Sequence, residues 1–109
     1  MFMKDDFLWI LEWYNNQCDG DWEHKCGIHI ETIDNPGWSI TINFKDTELE
    51  GKNFQEIEKD YESANDWLIC FVKNSKFEGR CAPLKLPEVL HIFREWVGPR
   101  IYPTDVPHN

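Results

Sequence analysis

Apolar positions along this chain recur with two different periods, and the change of period marks its elements. Over residues 5–16, Phe7, Ile10, Leu11 and Tyr14 fall on one face at helical spacing, with Leu8 bordering it. Trp9 lies nearly opposite, among Asp5, Glu12 and Asn16. Asp5 or Asp6 can cap this helix, and acids there suit the positive end of its dipole. The segment 18–20 breaks it.

Residues 22–34 alternate. Trp22, His24, Cys26, Ile28 and Ile30 point one way, and Glu23, Lys25, His29 and Glu31 the other, which is the period of a half-buried strand. Asn35, Pro36 and Gly37 form a turn. Pro36 presets φ at its second position, and Gly37 can take the positive φ that a type II turn needs at its third. Trp38, Ile40, Ile42 and Phe44 then alternate against Ser39, Thr41 and Asn43, giving a second strand and a hairpin.

The segment 54–62 suits either period through Ile57 and Tyr61, and an acidic edge strand is the favoured reading. Residues 67–72 (Trp67, Leu68, Ile69, Cys70, Phe71, Val72) are apolar on both faces, which predicts a central strand covered on both sides. The stretch 73–76 turns the chain and 77–81 returns. Pro87 suits the first position of a helix. Val89, Leu90, Phe93, Trp96 and Val97 form its apolar stripe, and Gly98-Pro99 ends it. The expected fold is α+β. About five strands form an antiparallel, meander-like sheet, with an N-terminal and a C-terminal helix packed on one face. Residues 1–98 form the single domain, and 99–109 a loosely held tail. The second face of the sheet must be solvated or meet a partner.

With 41% hydrophobic and 28% charged residues in 109, the chain reads as one globular domain. No apolar run approaches the ~20 residues of a membrane helix. The start MFMKDDFLW lacks the features of a signal peptide, so the expected location is the cytoplasm, where thiols stay reduced. The net charge of −9 is unevenly spread. Asp46, Glu48, Glu50, Glu56, Glu58, Asp60, Glu62 and Asp66 face only Lys52 and Lys59 over 46–66, so that stretch carries −6. Such a surface repels nucleic acid and anionic lipid and attracts basic partners. Acids also keep small proteins soluble, which is the blander account of each one.

Candidate chemistry is sparse. Cys18, Cys26, Cys70, Cys81 and the four histidines lack zinc spacing; His24 and His29 are expected on opposite strand faces. No cofactor or metal is expected. None of the cysteines is followed five residues later by the arginine of a rhodanese-type sulfur-transfer loop; those positions hold Glu23, Glu31, Ser75 and Leu86. Asp19 and Asp21 beside Cys18 oppose a reactive thiolate. Asp19, Asp21 and Glu23 lack the remaining ligands of a calcium loop. Walker, dinucleotide and Ser-elbow motifs are absent from the sequence. Six tryptophans are many for this length. Trp38, Trp67 and Trp96 lie on core-facing patterns and read as core. Trp22 is ambiguous. Trp9, on a polar face, is either an exposed anchor for a partner or packed under the tail.

The strings QCDGDWEH (17–24), DNPGWS (34–39) and NDW (65–67), with the closing amphipathic helix, resemble the immunity protein 53 family over roughly residues 7–97. That resemblance implies a bacterial protein, encoded beside a polymorphic toxin, that binds and neutralises the toxin rather than turning over a substrate. Many such toxins are nucleases with basic clefts. Charge then places the expected contact at Asp19, Asp21, Glu23, Glu48, Glu50, Glu56, Glu58 and Asp60, with Trp9 and Trp22 as candidate aromatic anchors. The expected partner is a cognate protein toxin, with no nucleic acid and no membrane. A small enzyme acting through the loop 18–23 and a homodimer that pairs its exposed sheet are the competing readings.

Overall fold

Two antiparallel ribbons meet to make the sheet of this protein, seen in a computed structural model that describes residues 4–59 and 64–99. Strands β1 (Ile28–Ile33) and β2 (Gly37–Asn43) form one hairpin. Strands β3 (Ile57–Lys59), β4 (Leu68–Lys73) and β5 (Lys76–Cys81) form the other ribbon. The connection from β2 to β3 crosses to the far edge, so β5 joins β2 and the order is β1-β2-β5-β4-β3. Helix α1 spans Lys4–Gln17, α2 is the single turn Trp22–Lys25, and α3 spans Leu86–Val97. The expected α+β architecture is present, with one five-stranded antiparallel sheet and a helix at either end of the chain. Asp60 and the tail from Arg100 lie outside the described residues.

The β4–β5 turn follows from its residues. Asn74 and Ser75 have φ of 55° and 60°, the paired left-handed conformation of a two-residue hairpin that matches strand twist. The β1–β2 turn does not follow the type II expectation. The Asn35–Pro36 peptide is cis, and Gly37 is not at positive φ. Gly37 is required for another reason: a Cβ there would stand 2.1 Å from the backbone oxygen of Cys81.

The alternation expected from residue 22 is realised only from Ile28. Trp22–Lys25 coils into a turn of helix, and Gly27, at φ 155°, releases the chain into β1. β4 is interior but not central, and one of its faces is open. Leu68 and Cys70 are fully buried in the core, whereas Ile69 and Phe71 are half-buried on the other side. That open face is largely polar: Thr41 donates to Glu78 at 2.8 Å, and Arg80 pairs with Glu78 at 3.1 Å.

Helix α3 begins at Leu86, with Pro87 in its first turn, and lays Val89, Leu90, Phe93 and Val97 into the core. Gly98, at φ 86°, ends it. Helix α1 packs beside α3, but not by the stripe its sequence suggests. Asp6, Trp9, Ile10 and Trp13 are buried, while Phe7 and Leu11 are 44% and 46% exposed. The buried stripe is the expected pattern moved by one residue, a rotation of about 100°. Trp13 becomes the centre of the core, edge-on to Phe93 at 5.3 Å and to Trp22 at 6.1 Å. Asp5 and Asp6 lie inside the first turn of α1 rather than at its cap.

Candidate functional site

The loop between α1 and α2 is built by its own acids. The Asp19 carboxylate accepts the backbone N–H groups of Asp21 and Trp22, both at 2.9 Å. The Glu23 carboxylate reaches back to those of Asp19 at 3.0 Å and Gly20 at 2.9 Å. This reciprocity resembles a capping box. Gly20 supplies the positive φ of 94° that lets the loop close. Hydrogen bonds from Trp22 and Asp21 hold Asp19 below the usual carboxylate range against the opposing effect of burial, and its own N–H adds to the lowering. Glu23 is held low by its own N–H and those of Asp19 and Gly20, with His24 adding to the effect. The string CDGDWE is therefore first a folding device.

Trp22 points inward from this loop, 6% exposed, and its indole N–H donates to the Lys45 carbonyl at 2.8 Å. That bond draws the loop after β2 against the loop before β1. Asp19, Asp21 and Asp46 thereby line one cavity of about 290 Å³ together with Asn16, Gln17 and Lys25. Next to it, Glu48 accepts the Trp13 indole N–H at 3.1 Å and the Gln17 amide at 3.3 Å. Glu50 accepts the Asp46 backbone N–H at 2.8 Å and the Ser75 hydroxyl. Those two bonds, the Asp46 N–H first, hold the Glu50 carboxyl low.

The expected contact residues thus sort by what they already hold. Asp19, Glu23, Glu48 and Glu50 bind backbone or side chains of their own fold. Asp21, Glu56 and Glu58 are exposed. Glu56 and Glu58 lie at the β3 edge, apart from the loops joined by Trp22. Asp60 lies outside the described residues. Both tryptophans, left open by the sequence, are buried. Trp9 is 7% exposed, edge-on to Phe93 at 6.4 Å, with the Arg94 guanidinium 5.7 Å from its ring centre. Trp22 is equally a core residue, 6% exposed. Asp46 was counted in the acidic stretch but not singled out. It stands 25 positions from Asp21, and the fold brings the two to one cavity.

The thiols give no catalytic arrangement. Burial pushes the Cys70 thiol up to about 12 and the Cys81 thiol up to about 11, so both stay protonated and unreactive. The Cys18 thiol donates to the Tyr14 carbonyl at 3.3 Å. Neither Cys18 nor His24 lines the acidic cavity. Among the described residues, no three His, Cys, Asp or Glu side chains gather so as to hold a metal ion. No helix among them is long and apolar enough to cross a membrane.

No curated protein and no solved structure matches the chain. The sequence model described as immunity protein 53 matches residues 7–98, from the exposed stripe of α1 to the glycine that ends α3. That span contains the self-capped loop, the whole sheet and α3, and the chain belongs to the immunity protein 53 family.

Proposed function

We propose that this chain binds and neutralises a cognate bacterial polymorphic toxin by laying acidic loops over a basic cleft of the kind that holds nucleic acid. The family supplies the immunity role. The surface is our inference, and the observation that carries it is the convergence of Asp19, Asp21 and Asp46 on one cavity within a chain of net charge −9. Asp21 and Asp46 present the outward charge, while Asp19, Glu23, Glu48 and Glu50 hold the loops in shape beneath them. Glu56 and Glu58 extend the acidic field along the β3 edge. Rigid acids of this kind speed encounter and set register more than they add affinity.

The test is stopped-flow association with the toxin encoded by the neighbouring gene, over a series of salt concentrations. The on-rate is expected to fall steeply as salt rises, because screening acts on long-range attraction. Neutralising Asp21, Asp46, Glu56 and Glu58 together should slow association by roughly tenfold or more and flatten the salt dependence. An unchanged rate and slope would remove the acidic surface from the mechanism. Failure of the toxin to bind at all would remove the pairing itself.

A further inference from the structure

Strand β1 is an edge strand whose middle is bare. His29, Ile30, Glu31 and Thr32 are all exposed, Ile30 to 39%. Its outer backbone row follows from the ladder. Asn43 donates its N–H to the Gly27 carbonyl at 2.9 Å, so the residues of β1 that share Gly27's parity turn their peptide groups towards β2. Ile28, Ile30 and Thr32 therefore point N–H and C=O away from the sheet. No strand among the described residues covers that row. Alongside it runs an apolar groove of about 320 Å³ between β1 and α1, walled by Phe7, Ile10, Leu11 and Tyr14 and floored by Ile28 and Ile30. On the groove's helix wall, Phe7 and Leu11 are the residues that the one-residue rotation of α1 leaves out of the core. Long unpaired edges beside apolar surface are ordinarily blunted by charged side chains, above all lysine, by proline or by a bulge; β1 has no lysine, proline or bulge, and Glu31 is its single carboxylate.

We propose that a second copy of this chain occupies the β1 edge. Two β1 strands would pair antiparallel about a twofold axis perpendicular to the sheet, giving a continuous ten-stranded sheet. Donor–acceptor complementarity between His29 and Glu31 selects this occupant and its register. Pairing centred on Ile30 sets Ile30 opposite Ile30 and Ile28 opposite Thr32, the residues with outward peptide groups, so their N–H and C=O groups bond directly. The same register places His29 opposite Glu31 twice, where an imidazole N–H donates to a carboxylate. Centring on Glu31 would instead oppose two carboxylates, and centring on His29 two imidazoles. On the helix side, each copy's Ile28 and Ile30 extend the floor of the other's groove, and Phe7 and Leu11 of the two α1 helices flank the seam. This proposal stands independently of the toxin reading, because it concerns the isolated chain.

The experiment is sedimentation velocity of the purified chain up to hundreds of micromolar, with amide hydrogen exchange on the same samples. The expected species has twice the 13.1 kDa of one chain. The amides of Ile28, Ile30 and Thr32 should become protected as concentration rises. H29E opposes carboxylates at two sites and should weaken the dimer on the order of tenfold. The charge-swapped double variant H29E/E31K should restore it. Both positions are exposed, and far-UV circular dichroism checks that the folds match. A monomer at every concentration would overturn the proposal. So would a dimer that ignores H29E, or one in which those three amides stay unprotected. Protection of them by the toxin alone, with the free chain monomeric, would assign the edge to the toxin and overturn self-pairing.

Discussion

The guanidinium of Arg94 donates to the carboxylate of Asp6 at 3.3 Å, across the seam between α1 and α3. Asp6 is 2% exposed, and His91 Nδ1 lies 3.1 Å from the same oxygen. A buried carboxylate is tolerable only with such partners. It also sits in the first turn of α1, where the helix dipole favours negative charge. Arg94→Ala is expected to cost roughly 3 kcal/mol or more, because it leaves the buried Asp6 carboxylate without its guanidinium and removes the contact with Trp9. Asp6→Ala should cost less, since Arg94 and His91, 38% and 32% exposed, can turn to water once their acceptor is gone. Chemical denaturation of the two variants gives the order, and the reverse order would mean that the Asp6 carboxylate is not held as a buried charge.

Trp9 reads from the sequence as either a partner anchor or a packed residue, and its burial makes it the subject of a stability prediction. Trp9→Ala should lose roughly 3–5 kcal/mol, as large-to-small changes in aromatic cores do. Below its lowered melting temperature the variant should still dissociate from toxin at the native rate. A faster dissociation from a fully folded variant would return Trp9 to the interface.

Gly37→Val and Gly79→Ala separate two kinds of crowding. A Cβ at Gly37 meets the Cys81 backbone oxygen at 2.1 Å, and the strands must part to admit it. A Cβ at Gly79 meets side-chain methyls, Val89 Cγ1 at 2.6 Å and Ile40 Cγ2 at 3.0 Å, which can turn aside in part. Gly79→Ala should cost about 1–3 kcal/mol, and Gly37→Val more. Thermal melts compare them. Equal melting temperatures would show that the β2–β5 pairing opens at its end without penalty.

Asp19, Glu23 and Glu50 have lowered pKa values in the fold, through hydrogen bonds that the unfolded chain lacks. Their contribution to stability is present above the ordinary carboxylate range. It is lost as pH falls from that range through the lowered values, because protonation then removes each acceptor. Acid titration of the unfolding free energy should show this loss, and D19N/E23Q should flatten it. A double variant with the same acid slope as the parent would mean that the loop forms without its carboxylates.

Thiol labelling checks the cysteine assignments. Cys18 and Cys26 are partly exposed, whereas Cys70 and Cys81 are buried with thiols pushed up to about 12 and about 11. In mildly alkaline buffer, mass spectrometry should find rapid modification at Cys18 and Cys26, and modification at Cys70 and Cys81 only at the rate of unfolding. Rapid native labelling of Cys70 would show that β4 is less covered than it stands here.

Local chemistry made much of this protein legible in its residues alone. Alternation at Trp38, Ile40 and Ile42 marks the strand that β2 forms. The run from Pro87 to Gly98 carries its own start, stripe and stop. Asn74-Ser75 between two apolar runs is a hairpin turn. The motif strings were enough to find the family. What the residues left undecided was set by contacts distant in sequence. Helix α1 offers two apolar stripes one residue apart, because FLWILEWY is apolar nearly all round. The core took Trp9, Ile10 and Trp13, since larger rings fill the space against Phe93 and Trp22, and it left Phe7 and Leu11 beside β1. The alternating letters of 22–26 yielded to the hydrogen bonds of Asp19 and Glu23, which coil the chain before Gly27 releases it. The strand order, the close approach at Gly37, and the meeting of Asp21 with Asp46 through the Trp22–Lys45 bond all rest on pairings between distant segments. Periodicity records which side of an element is apolar. It does not record which surface that side meets, and packing alone decides that.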